Sequence, residues 1–364
     1  MATIEARRQK RTDGTPGAPR YRVRYRDPQG QQRTRTFARK VDAQAFAKAV
    51  DTDMARGDYV SPRDQQLTFG EYAKQWQATR VRRPSSTEAL GYALARMADL
   101  EPLRLNAIRR SDVQAWVQRQ SQTLSPTTLR TTFRELSSIF RAAVEDGLLN
   151  RSPCGRIALP TVEHGQVVPI TTEQVQQLAD AVPARYRALI VASAGLGVRQ
   201  GEALGLTVDR VDFLRRTVRI DRQLLTPARG KPQFGPTKTP ASVRTLPLPQ
   251  VVADALAAHL AQFGEGPDRL IFTTGHQGPM RRNNAGDMIR RAVAAGNLPV
   301  GTSSHDLRHF YASLLISQGQ SVKVVQSRLG HRSATETLDT YGHLWPDSEA
   351  DTIAAVDIAL AAMR

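Results

Sequence analysis

The chain reads as mainly α with small β elements, and three observations carry that reading. Apolar residues recur at three- and four-residue spacing through most of residues 65–364, the period of helices with one buried face. Strict two-residue alternation is confined to short stretches, the clearest being Tyr21-Arg22-Val23-Arg24-Tyr25-Arg26. At 364 residues the chain has room for two or three domains of roughly 150 residues each, so separate helical and mixed segments can each bury a core.

Composition narrows the function before any motif does. Lys and Arg number 51 against 34 Asp and Glu, a net charge of +17, and a surface so charged suits a polyanionic partner better than a neutral metabolite. The excess is densest at the front, where residues 1–60 hold 14 basic and 7 acidic side chains. Cys154 is the one cysteine, which excludes an intrachain disulfide and a cysteine-ligated zinc finger and fits a reducing compartment. Neither a run of 18 apolar residues nor an apolar segment behind the basic N-terminus exists. No membrane span or signal peptide is expected, and a cytoplasmic, nucleoid-associated location is.

Residues 1–60 form the first expected domain. Its basic tail (Arg7, Arg8, Lys10, Arg11, then Asp13 to Pro19) lacks apolar periodicity and is expected to be flexible until bound. The alternating run from Tyr21 leads through Asp27-Pro28-Gln29-Gly30 into Arg33-Thr34-Arg35-Thr36-Phe37, a β-hairpin backed by a helix over Asp42 to Val50. Arg22, Arg24, Arg26, Arg33 and Arg35 are expected to point one way, toward a phosphate backbone.

Residues 65–150 carry only helical signals: Phe69 to Arg80, Ser85 to Leu100, Ser111 to Gln122 and Ser125 to Asp146, each opening near Ser, Thr or Pro. Arg130, Arg134 and Arg141 recur at helical spacing on the last of these and are candidate DNA contacts. Gly147 closes it, and residues 151–169 read as an irregular linker. The third domain, 170–364, opens at the capping-box pattern Thr171 and Gln174. It carries strands over Thr217 to Leu225, Ser242 to Pro247 and Leu270 to Thr273. Its later helices span Asn283 to Ala295, His305 to Gln318, Val322 to Leu329 and Glu336 to Leu344, with a last amphipathic stretch from Ser348 to Met363.

Four clusters in this third domain suit the handling of a phosphate. Arg199 stands in a glycine-punctuated helix junction with Glu202 three residues on, able to orient the guanidinium. Lys238 lies on a turn between strands, with Lys231 on the same presumed hairpin. His305 and Arg308 are spaced i,i+3 on one helix face, and His309 is left as a structural residue. The pair His305 and His309 also has the i,i+4 spacing of a zinc-protease helix, but an intervening arginine, Asp for Glu and no third ligand count against that reading. Ser327-Arg328-Leu329-Gly330-His331 is followed ten residues after the histidine by Tyr341, at a helix end where it is expected to be exposed. Together these groups suit attack on a phosphodiester: guanidiniums on the non-bridging oxygens, a lysine or histidine protonating the leaving oxygen, a tyrosine as nucleophile. No metal or nucleotide cofactor is expected. Gly235-Pro236-Thr237-Lys238-Thr239 is no P-loop, having one glycine and no helix pattern behind it.

The four clusters, in this order, resemble the catalytic domain of the tyrosine recombinases, and specifically phage and mobile-element integrases, over essentially the whole chain. The resemblance implies a catalytic set of Arg199, Lys238, His305, Arg308, His331 and the nucleophile Tyr341. It implies a helical catalytic fold with a β-hairpin insertion, a helical core-site-binding domain at 65–150 that clamps DNA with it, and a three-stranded arm-binding domain at 1–60. It implies site-specific recombination through a 3′-phosphotyrosyl intermediate for integration and excision, by a homotetramer on core- and arm-type attachment sites. An excision factor and a DNA-bending host protein are further implied partners. A DNA-binding protein that no longer cuts and a type IB topoisomerase are the alternatives.

Overall fold

The computed structural model describes residues 2–10, 16–28, 30–56, 59–61, 64–162, 165–228, 230–296, 298–345 and 349–363. The chain divides into two compact units, Met1–Glu163 and His164–Arg364. Among the described residues no helix is long and apolar enough to cross a membrane.

The first unit opens with an antiparallel sheet in the order β1 (Thr3–Lys10), β2 (Pro16–Arg26), β3 (Gln32–Phe37), backed by α1 (Lys40–Arg56). Much of the tail expected to be flexible is thus an edge strand. It pairs from Thr3↔Arg24 to Lys10↔Pro16, with Ile4 opposite Val23 and Ala6 opposite Tyr21. Backbone hydrogen bonds hold an edge strand without a run of apolar side chains, so two small apolar positions were too faint a signal. Arg11 and Asp13 lie outside the described residues. Val23, Tyr25, Ala43, Ala47 and Val50 form the core between sheet and helix.

The five arginines do not share a face. Residues directly opposite in an antiparallel pair project to the same side, and the register sets Arg33 opposite Tyr25 and Arg35 opposite Val23. Both therefore lie on the helix side. Arg33 Nε donates to Asp27 Oδ2 at 2.9 Å, and the Arg35 guanidinium lies 4.9 Å from the centre of the Phe46 ring. Arg22 and Arg24, opposite Thr36 and Thr34, and Arg26, opposite Gln32, are left on the outer face. The phase depends on the turn, and a register one residue different would have aligned both sets.

The four expected helices follow as α2 (Phe69–Thr79), α3 (Pro84–Ala95), α4 (Arg110–Ser121) and α5 (Pro126–Glu145). Thr68 and Glu71 form a capping box at α2, and Ser125 with Pro126 opens α5. Phe69, Trp76, Trp116 and Phe140 anchor a core separate from that of the sheet. α3 ends earlier than expected, with a 3₁₀ turn over Ala98–Leu100. The segment behind α5 is irregular but tied down: Arg110 donates to Arg156 O, Gln114 exchanges hydrogen bonds with Ala158, and Arg130 Nε donates to Pro160 O at 2.9 Å. Arg134 and Arg141 are exposed.

The second unit runs α6 (Thr172–Ala181), α7 (Ala184–Leu196), α8 (Gln200–Leu204), β4 (Val211–Asp212), β5 (Thr217–Ile220), β6 (Arg222–Leu225), β7 (Gln233–Pro236) and β8 (Arg244–Pro247). It continues with α9 (Gln250–Phe263), α10 (Arg282–Ala295), α11 (Ser304–Ser317), α12 (Val322–Leu329), α13 (Ala334–Tyr341) and α14 (Glu349–Ala359). The expected capping box at Thr171 and Gln174 opens α6. The strand expected over Thr217 to Leu225 breaks at Asp221, so β5 joins β4 and β8 while β6 pairs with the unforeseen β7. Ser242 belongs to a 3₁₀ turn rather than to β8. Leu270 and Thr273 form isolated bridges, to Thr207 and Pro279, instead of a third strand. The helix expected to reach Leu344 ends at Tyr341 and tightens to a 3₁₀ turn over Gly342–Leu344. In the last stretch Ser348 lies outside the described residues, and Ile353, Val356, Ile358 and Leu360 of α14 and its continuation are exposed.

Candidate active site

Helix ends of the second unit carry the chemistry-bearing residues of the four clusters to one place. α7 stops at Gly197, whose φ of 59° is left-handed and whose added Cβ would come within 2.2 Å of the Tyr311 ring. Glycine alone tolerates both demands. The turn leads directly into Arg199, the N-cap of α8.

The C-terminus of α12 is the focus of the cluster. Three consecutive carbonyls there accept from three guanidiniums: Arg328 O from Arg244 Nε at 2.8 Å, Leu329 O from Arg308 Nη2 at 2.7 Å, and Gly330 O from Arg199 Nη2 at 3.2 Å. Helix carbonyls left without amide partners, at the negative end of the helix dipole, are apt counter-charges for cations. Gly330 makes the approach possible. Its φ is 64°, and a Cβ would press at 3.1 Å on Ala241 O and Arg244 Nη1.

Glu202 is the second counter-charge and is 2 % exposed. It accepts from Arg199 Nη1 at 3.0 Å, from the Arg199 amide and from Arg244 Nη2 at 3.0 Å. Burial pushes its carboxyl up, but the charge and hydrogen bond of Arg244, with the amide and guanidinium of Arg199, outweigh it and hold the pKa below the usual range. Ser242 Oγ accepts from Arg199 Nη1 at 2.9 Å. Arg308 is 2 % exposed and also donates to Gly197 O at 2.7 Å. Burial, then repulsion from Arg199 and Arg244, lowers its pKa to about 10.

The histidines and the tyrosine complete the site. His305, exposed in the first turn of α11, has its pKa lowered by partial burial and by Arg308, with Arg199 and Lys238 contributing. His331 is buried, bonds Thr337 Oγ1 through Nδ1 at 2.8 Å, and lies with its ring parallel to that of Tyr341, centroids 6.4 Å apart. Burial and Arg308 lower its pKa to about 4. Tyr341, expected to be exposed, is 1 % exposed, and burial pushes its phenol up to about 12 against the opposing pull of Arg308. It ends its helix as expected, but its ring joins a cluster with Tyr311, Val325 and Leu329, packing that no local pattern encodes. Its hydroxyl lies 2.8 Å from His309 Nδ1, so His309 is no mere packing residue.

Lys238 does not sit on the β6–β7 turn. Lys231 does, and Lys238 follows β7 on the connection toward β8, exposed and within electrostatic reach of His305. Two polar groups were missed in the sequence. In the sequence Arg244 shows only as part of a strand, and His309 only as a structural residue one helical turn from His305. Among the described residues no three His, Cys, Asp or Glu side chains come together as a metal site.

Comparison with known proteins bears on the family and the fold. Residues 169–347 match the model of the phage integrase family. The chain is 24% identical to a XerC-like tyrosine recombinase of Caldanaerobacter subterraneus subsp. tengcongensis, over 93% of this chain and 95% of that one. It is 26% identical to the putative prophage phiRv2 integrase of Mycobacterium tuberculosis over 88% of both. Among solved structures, the Tn1549 transposon integrase (aa 82–397) in complex with a circular intermediate DNA superposes with a TM-score of 0.70 at 23% identity, covering 81% of this chain and 99% of that one. A lambda integrase tetramer bound to a Holliday junction superposes with a TM-score of 0.58 at 18% identity, covering 90% and 96%.

Fold and family match define the class: enzymes that break and rejoin DNA strands in site-specific recombination. Within that class the chain belongs to the tyrosine recombinases, in the phage integrase family.

Proposed function

We propose that the chain integrates, and with a partner excises, a phage or mobile element, cutting each strand through Tyr341. The observation that carries this reading is the convergence of Arg199, Arg308, His331 and Tyr341 around the end of α12. Tyr341 Oη attacks phosphorus, the P–O5′ bond breaks, and a 3′-phosphotyrosyl ester forms. Arg199 and Arg308 exchange their carbonyl partners for the non-bridging oxygens and offset the charge of the pentacoordinate transition state. Lys238 or His305 protonates the leaving 5′ oxygen, and His331 is held against the tyrosine by Thr337. Glu202 and Arg244 position Arg199. The guanidiniums carry the charge stabilisation, so the step calls for neither metal nor nucleotide. A 5′-hydroxyl of a second strand reverses it.

Residues 1–60 form an arm-type DNA-binding domain, residues 65–150 a core-site domain, 151–169 a linker and 170–364 the catalytic domain; the separate cores of the sheet and of the helices support the first boundary. Arg22, Arg24 and Arg26 face the arm DNA, Arg134 and Arg141 the core site. Arg33 and Arg35 lie on the helix side of the sheet, and Arg130 holds the backbone at Pro160, so these three are not DNA contacts in this reading. The partners are double-stranded attachment sites, three further copies of the chain, an excision factor and a DNA-bending host protein, in a cytoplasmic, nucleoid-associated setting.

The test is a suicide duplex bearing the core site, incubated in EDTA with wild type and Tyr341→Phe and resolved on denaturing gels. Wild type is expected to form a covalent adduct and the variant none. A band shift without any adduct would favour a non-cutting binder, and equal relaxation of any supercoiled plasmid would favour a topoisomerase.

A further inference from the structure

We infer that His309, through Nδ1, is the general base that takes the proton of Tyr341 as the phenol attacks DNA, and returns it when the phosphotyrosyl bond is resolved. The inference rests on the reading of Tyr341 as nucleophile and adds a catalytic residue to it.

Geometry singles out His309 among the described residues. Its Nδ1 is 2.8 Å from Tyr341 Oη, with the rings edge-on at 67°, an approach that puts an imidazole lone pair at the phenolic hydrogen. His331 is farther away, with ring centroids 6.4 Å apart against 5.5 Å for His309, and it is wrongly turned. Its ring is parallel to the tyrosine within 8° and its Nδ1 is engaged by Thr337. His305 stacks edge-on against His309 at 4.5 Å between centroids, and its contact is with that ring rather than with the phenol. The guanidiniums of Arg199, Arg244 and Arg308 have no lone pair to offer.

Electrostatics sets the resting protonation of the pair. Burial first, then His305 and Arg308, lower the His309 pKa to about 4 against the opposing Asp306, so its imidazole is neutral at pH 7. The phenol is pushed the other way and keeps its proton; with the imidazole in its Nε2–H tautomer, the O–H donates and Nδ1 accepts. The groups that bear on His309 are thus His305, Asp306 and Arg308 of its own helix and Tyr341 of α13; His343, in the turn behind α13, is bonded instead to Val167 O. The proton stays on oxygen at rest. As the O–P bond forms, the phenol becomes acidic while negative charge grows on the phosphoryl oxygens and stabilises the imidazolium beside them. The proton moves to Nδ1, the electron pair of the O–H bond goes into the new O–P bond, and the 5′ oxygen leaves with a proton from Lys238 or His305. In resolution each transfer runs backward.

The experiment is single-turnover cleavage of the suicide duplex by wild type, His309→Gln, His309→Ala and Tyr341→Phe from pH 6 to 9, with band shifts to confirm DNA binding. Loss of a general base slows chemistry by about 100-fold or more. His309→Gln is expected to bind DNA like wild type, cleave at least 100-fold slower near pH 7, and gain rate with pH where wild type is flat. Imidazole is expected to restore part of the rate to His309→Ala. A 5′-bridging phosphorothiolate, whose sulfur leaves without a proton, is expected to rescue Lys238→Ala and not His309→Gln. The inference is overturned if His309→Gln cleaves within twofold of wild type, or if it is slowed by the same factor at every pH with no imidazole rescue of His309→Ala. An adduct from Tyr341→Phe would instead overturn the underlying assignment of the nucleophile.

Discussion

At the scale of single residues, the site depends on one buried carboxylate shared between two arginines. Glu202→Gln keeps the shape but leaves Arg244, itself 6 % exposed in its side chain, without its charge partner. Breaking such a buried pair costs about 3 kcal/mol, so a marked loss of stability is expected in urea melts at pH 7. The pH dependence follows from the sign of the shift. The folded pKa of Glu202 is depressed, so its contribution is present above the carboxylate range and is lost as pH falls through the folded value. The gap between wild type and Glu202→Gln is therefore expected to shrink below about pH 4, and a gap that persists at pH 3 would contradict the assignment. Glu202 was legible in the sequence because i,i+3 spacing is local. Its second partner was not, since Arg244 lies 42 residues away on β8 and meets it only in the folded unit. The same limit explains Tyr341: helix spacing placed it at a helix end, while its burial depends on residues from three other elements.

At the scale of elements, the N-terminal sheet shows how a legible pattern can be assigned to the wrong face. Alternation located β2 and β3, but the side on which each arginine falls depends on the hairpin register. Arg26 stands on the outer face, exposed to solvent, whereas Arg33 satisfies Asp27, whose side chain is wholly buried. The two arginines are expected to part company in one assay. Arg26→Ala should reduce the magnitude of the slope of log K against log salt for arm-site DNA by about 1, one phosphate contact's worth, and leave the melting temperature unchanged. Arg33→Ala should leave the slope unchanged and lower the melting temperature, because it strands a buried carboxylate. Equal slope losses in both would restore the single arginine face. Three of the four helices of residues 65–150 were legible to within a residue at each end, because capping side chains and amphipathic spacing are both local signals, while α3 stops five residues short of the expected Leu100.

At the scale of the whole molecule, the question left by the fold is what covers the last helix. α14 and the turn behind it carry Ile353, Val356, Ile358, Leu360 and Met363, each at least 50 % exposed. An 11-residue helix is marginal in water by itself, and an apolar stretch this open is more typical of an interaction surface than of a finished monomer. The sequence identified the stretch as amphipathic but could not choose between packing on its own domain and on a neighbour, because both bury the same side chains. With no cover supplied by the described residues of its own unit, a second copy of the chain is the proposed occupant, and a head-to-tail contact that closes into a ring would give every copy the same cover. Deleting residues 349–364 is then expected to leave Tyr341 adduct formation on a single core site measurable while abolishing the tetramer on paired sites, read by light scattering of the protein–DNA complex. A tetramer that survives the deletion would assign assembly to another surface, and loss of the adduct together with the tetramer would mean that the helix supports the catalytic fold itself.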